Sequence, residues 1–273
     1  MTSHAPKVDT SIAHPARRYN YWLGGKDHYE ADRESGDQIA AVFPSIRVAV
    51  QENRRFLQRA VRYLAGEVGI RQFLDIGTGI PTADNTHEVA QAVAPRSRVV
   101  YVDNDPIVLV HARALLTSTP EGATSYLEAD LREPQKILRH PDLLATLDLS
   151  QPVALMLIAV LHFVPDSEDP YGIVGELTSA LAPGSHLAIT HGTGDFMPPA
   201  TAQDVDSTVQ STNERSQAPF LLRSRDEFAR FFDGLELVEP GIAPLAAWHS
   251  DRDPAGLPPA ADIANWGAVA RIP

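Results

Sequence analysis

Phe73-Leu74-Asp75-Ile76-Gly77-Thr78-Gly79-Ile80-Pro81-Thr82 reads as a short apolar strand, a two-glycine bend and the start of a helix. Glycines at such a crossover let the backbone turn sharply and approach a ligand with no Cβ in the way. Any tight connection can use two glycines, so the segments on either side decide the reading. Arg98 to Asp103 is a second strand and Thr124 to Leu127 a short third, with helices over Pro81 to Ala94, Pro106 to Thr117 and after Asp130. Val153 to Leu161 is unbroken and apolar and reads as a fourth strand; Tyr171 to Leu181 is helical and Ser185 to Thr190 is a fifth strand. Strands separated by helix-length connections pair in parallel through right-handed crossovers. A continuous apolar run suits a central strand covered on both faces. The expected fold is therefore α/β, a Rossmann-like doubly wound and mostly parallel sheet.

The two ends of the chain differ from this middle. Ser224-Arg225-Asp226-Glu227 has capping-box spacing and starts a helix through Phe228, Phe231 and Phe232. Leu235 to Val238 and Ala264 to Ile272 read as two final strands with no helical pattern between them, which predicts an antiparallel C-terminal hairpin at the sheet edge. Before the sheet, Ile46, Val50, Leu57, Val61, Leu64 and Val68 recur at helical intervals. Residues 1–70 are thus read as an N-terminal arm and helical cap, and residues 71–273 as the domain that carries the sheet. Residues 192–220, polar and bounded by Gly and Pro, are read as a lid insertion.

Composition removes several function classes. The 273 residues include no cysteine, which excludes disulfides, thiolate nucleophiles and cysteine metal sites. No HExxH or other compact ligand cluster is present, so no metal is expected. The longest apolar run is far short of the roughly 20 residues that span a bilayer, and the first twenty residues hold no apolar block of the kind a signal peptide needs. A cytoplasmic protein without membrane association is expected. The net charge of −12 repels phosphate backbones, so the expected partner is a small-molecule substrate and no nucleic acid. Arg54, Arg55, Arg59 and Arg62 fall at helical spacing and read as a solvated face. Nothing in the sequence indicates the oligomeric state.

Three acidic residues stand at the ends of three successive strands: Asp75, Asp103 and Asp130. Asp103 follows Gly79 by 24 residues, where a carboxylate can accept from both hydroxyls of a ribose. Helix capping is the plainer use of such residues. The series DIGTG at 75–79, YVDND at 101–105 and LEAD at 127–130 resembles the first three motifs of class I S-adenosylmethionine-dependent methyltransferases. From PARRYNYWLGGKDHYEADR at 15–33 through QFLDIGTGIPT at 72–82 and VVYVDNDP at 99–106 to LHFVPD at 161–166, the chain is similar to one family of these enzymes. That family was first catalogued as a domain of unknown function and later described as S-adenosyl methyltransferases.

The resemblance implies S-adenosylmethionine as cofactor and a role for each matching position. Gly77 and Gly79 would lie against its methionine portion, with Asp75 ordering the loop and the amino group. Asp103 would hold the ribose with Asn104 beside it, Asp130 would accept from the adenine amine, and the Leu131 amide would face the ring. Ala159 to His162 would line the cofactor and the reacting methyl. The chain departs from the usual class I motif at Pro81, where that motif has a third glycine; proline suits the first position of a helix. Thr82 likewise replaces the Gly or Ala that a dinucleotide fingerprint needs, which disfavours a second reading, an NAD-dependent oxidoreductase. A third reading is a protein that binds S-adenosylmethionine as a sensor or partner subunit without turnover.

Tyr19, Tyr21 and Trp22, beside Gly24-Gly25, either fold over the cofactor and shield its sulfonium, worth about 0.5–2 kcal/mol, or staple the arm to the core. Methyl transfer needs a base only if the acceptor must lose a proton; His162 and His191, at the ends of the fourth and fifth strands, are the candidates. His87 and His111 lie inside helical stretches and read as structural.

Overall fold

The structure is a computed structural model and describes residues 9–115, 117–213, 220–250 and 256–273. Residues 1–8 of the expected arm, position 116 in the expected second helix of the sheet domain, and 214–219 of the expected lid lie outside the described residues.

Five strands, β1 (Gln72–Ile76), β2 (Arg98–Asp103), β3 (Ala123–Glu128), β4 (Ala154–Ile158) and β5 (His186–Gly192), pair in parallel. Three more close the sheet: β6 (Glu236–Leu237), β7 (Ala243–Pro244) and β8 (Asn265–Arg271), with β8 antiparallel to β5, β6 and β7. The strand order is β3-β2-β1-β4-β5-β8-β6. The order reverses between β1 and β4, which opens a crevice at their carboxyl ends. The antiparallel ending is present, with β8 lying inside β6 against β5.

Alternation along the strands explains the two faces. Leu74 and Ile76 point into one apolar cluster and Phe73 into the other, and β4 divides Leu155 and Leu157 from Ala154 and Met156 in the same way. All five β4 side chains are buried, as a central parallel strand requires. Truncating one of these large side chains to Ala would cost about 2–5 kcal/mol.

Helices α1 (Pro15–Trp22), α2 (Glu30–Val42) and α3 (Ile46–Tyr63) form the N-terminal cap. The cap is pinned by Asp32, which is fully buried and accepts from the backbone N–H groups of His14 and Tyr29, each at 2.8 Å. The arginines of α3 depart from the expected solvated face. Arg59 is buried and donates to the Trp248 and Leu245 carbonyls at 2.8 Å, tying α3 to the C-terminal loops. Arg54 donates to the Ala83 and Asp84 carbonyls. Of the four arginines expected on that face, Arg55 and Arg62 are exposed.

The helix expected from Pro81 begins later, as α4 (Thr86–Val93). The Glu88 carboxylate accepts from the Asn85 amide at 2.7 Å and fixes the start there, while Asp84 has φ +56, outside the right-handed helix. Pro81 therefore sits in an irregular loop, held by Arg54, and not at a first helical position. Beyond β2 and β3 follow α5 (Pro106–Leu115), α6 (Pro134–Leu138) and α7 (Pro141–Thr146); α8 (Pro170–Ser179) precedes β5. The polar stretch read as a lid contains a helix, α9 (Pro199–Asn213), which packs on α2. Helices α10 (Arg225–Ala229) and α11 (Ala260–Ile263) complete the order, α10 opening on the Ser224–Glu227 capping box. No helix among the described residues is long and apolar enough to cross a membrane.

Candidate functional site

A cavity of about 470 Å³ lies over the crevice between β1 and β4, walled by strand ends below and by the cap and α9 above. Its floor is the glycine bend. Gly77 has φ +77, and a Cβ there would stand 2.5 Å from Val160 Cγ2, so the bend and the segment leaving β4 are in contact. Gly79 has φ +68, and a Cβ there would meet nothing within 4 Å. Its face is open to the cavity.

Asp103 bridges the floor. One carboxylate oxygen accepts from the Gly79 amide at 2.8 Å and the other from the Asp105 amide at 2.9 Å. Burial pushes its pKa up to about 6, against the lowering effect of these amides. Asp75 is also raised to about 6 by burial, opposed by the Thr86 hydroxyl that donates to it and by the charge of Arg54. Asp130 lies two residues beyond the end of β3 and is half-buried. Burial would raise it, but the Arg132 amide at 2.9 Å, the Asn104 side chain at 3.0 Å and the Arg132 guanidinium at 3.2 Å together lower its pKa. Leu131 and Asn104 line the cavity beside it. Asp75, Gly77, Gly79, Asp103, Asn104, Asp130, Leu131, Ala159, His162 and Tyr19 thus all fall on one cavity wall.

Ala159 leaves β4 with φ +55, and a relay of hydrogen bonds holds it. Its amide donates to Thr190 Oγ1 at 2.9 Å, Thr190 donates to Asn53 Oδ1 at 2.7 Å, and Asn53 Nδ2 donates to the Tyr19 hydroxyl at 2.9 Å. Tyr19 in turn donates to the Val50 carbonyl at 3.0 Å. The N-terminal arm is therefore stapled to the strand ends through the Tyr19 hydroxyl, while the rest of the residue lines the cavity. Trp22 also lines it, with its indole N–H on the Gly36 carbonyl; Tyr21 does not, and bonds Asp37.

The two histidines have different settings. His162 lines the cavity, has a buried ring Nδ1 without a hydrogen bond, and packs against Phe163, Phe220 and His191. Burial, then the charges of His191, Arg223 and Arg18, hold its pKa well below the usual value, so it is neutral. His191 is fully buried behind it and is not part of the cavity wall. Its Nδ1 lies 2.8 Å from the Gly192 carbonyl and its Nε2 2.8 Å from Arg223 Nη1, which fixes the Nδ1–H tautomer. Burial pushes its pKa down to about 3. Arg223 also donates to the Leu161 and Val164 carbonyls and to Asp166, clamping the segment that carries His162. Outside the site, His87 is buried against the Tyr101 hydroxyl and His111 faces Asp27 at 3.8 Å.

Several wall residues were not assigned from sequence. His14, whose Nδ1 is 3.1 Å from Asp105, and Arg18 come from the start and middle of α1. Ile39 and Phe43, four residues apart at the end of α2, carry a helical spacing that was a usable signal. Met197, Phe220 and Leu222 flank α9 and lie in a stretch whose sequence has no periodicity to mark them.

The profile of a family described as S-adenosyl methyltransferase matches residues 1–273. Among solved structures, a DUF574 family protein of Streptomyces avermitilis is 52% identical, with a TM-score of 0.92 over 98% of this chain and 100% of that one. A candidate methyltransferase of Thermobifida fusca is 42% identical, with a TM-score of 0.87 over 100% of this chain and 99% of that one. An O-methyltransferase family protein of Burkholderia thailandensis shares the fold at 14% identity and a TM-score of 0.54, over 89% of this chain and 60% of that one. No curated protein matches the chain.

Proposed function

The chain belongs to the S-adenosyl methyltransferase family, and from that premise we propose that its cavity seats S-adenosylmethionine along the β1–β4 strand ends and a small organic acceptor under the cap and α9. The protein is an S-adenosylmethionine-dependent methyltransferase. The open face of Gly79, with a carboxylate at each neighbouring strand end, fits an adenosyl ligand: a ribose is a double donor to Asp103, and an ammonium suits Asp75. Asp130, Asn104 and Leu131 are assigned to the adenine, and Ala159 and His162 to the reacting end. No helix N-terminus stands at the glycine bend, since α4 starts at Thr86, so the pyrophosphate seat of a dinucleotide is missing. That speaks against NAD.

When bound, the cofactor supplies a methyl group already attached to a good leaving group, so the protein's work is alignment and exclusion of water. The Tyr19–Asn53–Thr190 relay fixes the Ala159 turn, and Arg223 fixes the segment after it. His162 is assigned as proton acceptor: it is held neutral and it lines the cavity. His191 cannot reach the cavity and is assigned to positioning His162, against whose ring it packs edge-on. An acceptor enclosed by a cap in a chain of net charge −12 fits a small molecule better than a nucleic acid.

The Asp103 bridge to Gly79 carries this reading. Calorimetric titration with S-adenosylhomocysteine tests it: the wild-type chain is expected to bind, NAD is expected not to, and Asp103→Ala should weaken binding about a hundredfold. Equal affinity in the variant would remove Asp103 from the site. His162→Gln should lower turnover by about a hundredfold on acceptors that must lose a proton, with the S-adenosylhomocysteine affinity unchanged.

A further inference from the structure

Arg18 is 3% exposed and lines the cavity. Its Nη1 donates to Ser35 Oγ at 3.0 Å, while its Nε is sealed from solvent and makes no hydrogen bond. The acidic group whose field reaches it, Asp32, is already engaged by two backbone amides and by Arg17 at 3.6 Å. Arg17 also has a buried Nε without a hydrogen bond, but it lies 3.6 Å from Asp32 and the same guanidinium donates to two carbonyls. Arg223 reaches two carbonyls and Asp166. A buried guanidinium without a counter-ion is costly to hold. A second unsatisfied group belongs to the same cavity lining: the ring Nδ1 of His162 is also sealed and without a hydrogen bond.

Around these two polar groups the wall is apolar, with Trp22, Ile39, Phe43, Met197, Phe220 and Leu222. A ligand that satisfies this chamber carries one anionic group and an apolar body. We propose that the methyl acceptor is an organic acid with an aromatic or aliphatic body, its carboxylate paired with Arg18 beside His162. This rests on reading the cavity as the methyl-transfer site. The cofactor has a carboxylate of its own, but a different guanidinium serves that end: Arg54 holds the loop after the glycine bend, and its charge acts on Asp75. Arg18 instead reaches Ser35, one turn before Ile39 on the α2 face that lines the apolar chamber.

The test compares 3-phenylpropanoate with its uncharged amide by calorimetry, on the full chain saturated with S-adenosylhomocysteine. The acid is expected to bind at least about tenfold tighter than the amide. Arg18→Met should bring the two within about twofold of each other and leave the S-adenosylhomocysteine affinity unchanged, and Arg18→Lys should keep part of the preference. Methionine fills a similar volume without the unpaired charge, so the variant should melt no lower than wild type. Equal binding of acid and amide to the wild-type chain, or binding of neither, overturns the proposal without need of a variant. Loss of S-adenosylhomocysteine affinity in Arg18→Met also overturns it, by assigning Arg18 to the cofactor's carboxylate. If the wild-type chain does not bind S-adenosylhomocysteine at all, the methyl-transfer reading itself has failed.

Discussion

The strand-end half of the cavity and its cap half are built by opposite rules. At the strand ends the protein's polar groups satisfy one another before any ligand arrives: Asp103 holds two amides, Asp130 holds Asn104 and Arg132, and Thr190 holds the Ala159 turn. Under the cap, Arg18 Nε and His162 Nδ1 are buried without partners among apolar side chains. The first half is a pre-set backbone frame suited to one constant ligand. On the proposed reading the second leaves its polar demands to the acceptor, and a site built that way discriminates among ligands.

The sharpest way to break this contrast is at the two glycines. Gly77→Ala places a Cβ at φ +77 and 2.5 Å from Val160, so either the bend or the segment after β4 must move. A stability loss of about 3 kcal/mol in denaturant unfolding, with no detectable S-adenosylhomocysteine binding, is expected. Gly79→Ala meets no protein atom and should cost only about 1 kcal/mol for its φ of +68. Its methyl projects into the ligand space, so affinity should still fall, by about thirtyfold. If Gly79→Ala binds like wild type, the frame does not face the cofactor.

The acidity of the medium separates the halves next. Asp75 and Asp103 have pKa values of about 6 in the folded chain against about 4 when unfolded. Between those values the folded, ligand-free protein holds protons that the unfolded chain has released. These two carboxylates therefore contribute stability that falls as pH rises from about 4 to about 6. His162 and His191, held neutral by burial, contribute stability that rises as pH climbs toward the unfolded histidine value of about 6.5. A ligand that donates to the two carboxylates gains as they ionise. S-adenosylhomocysteine should bind about tenfold more weakly per carboxylate at pH 5 than at pH 7. A flat affinity profile would detach both carboxylates from the ligand.

The same contrast explains what the sequence made legible. The frame is local: a strand, a bend and an acidic residue lie in order along the chain, so Asp75, Gly77, Gly79, Asp103 and Asp130 could be marked at fixed spacings. The apolar chamber under the cap is assembled from α1, α2, the segment after β4 and the flanks of α9, whose side chains meet only in three dimensions. Arg18 stood in a conspicuous run beside Tyr19, yet its missing partner is a fact about burial that no spacing reveals. Two readings failed for different reasons. Pro81 looked like a helix start although Asn85 and Glu88 have the same capping-box spacing as Ser224 and Glu227, a local signal that outweighs the proline. Arg59 looked solvated because the carbonyls that bury it are 186 and 189 residues away.

Tyr19 belongs to both halves, and the smallest expected effect decides which role dominates. Its hydroxyl accepts from Asn53 and donates to the Val50 carbonyl, so Tyr19→Phe leaves both without that partner and should cost about 1 kcal/mol of stability. The ring survives in that variant. If the ring shields a sulfonium, the preference for S-adenosylmethionine over S-adenosylhomocysteine, whose thioether sulfur is neutral, should persist in Tyr19→Phe and fall about threefold in Tyr19→Leu, the scale of one modest cation–π contact. If Tyr19 is only a staple, the two variants should lose stability alike and the ratio of affinities should not move. Measuring both ligands on each variant separates the cases, because the loss of the staple weakens the two ligands together while the loss of the aromatic face weakens only the cation.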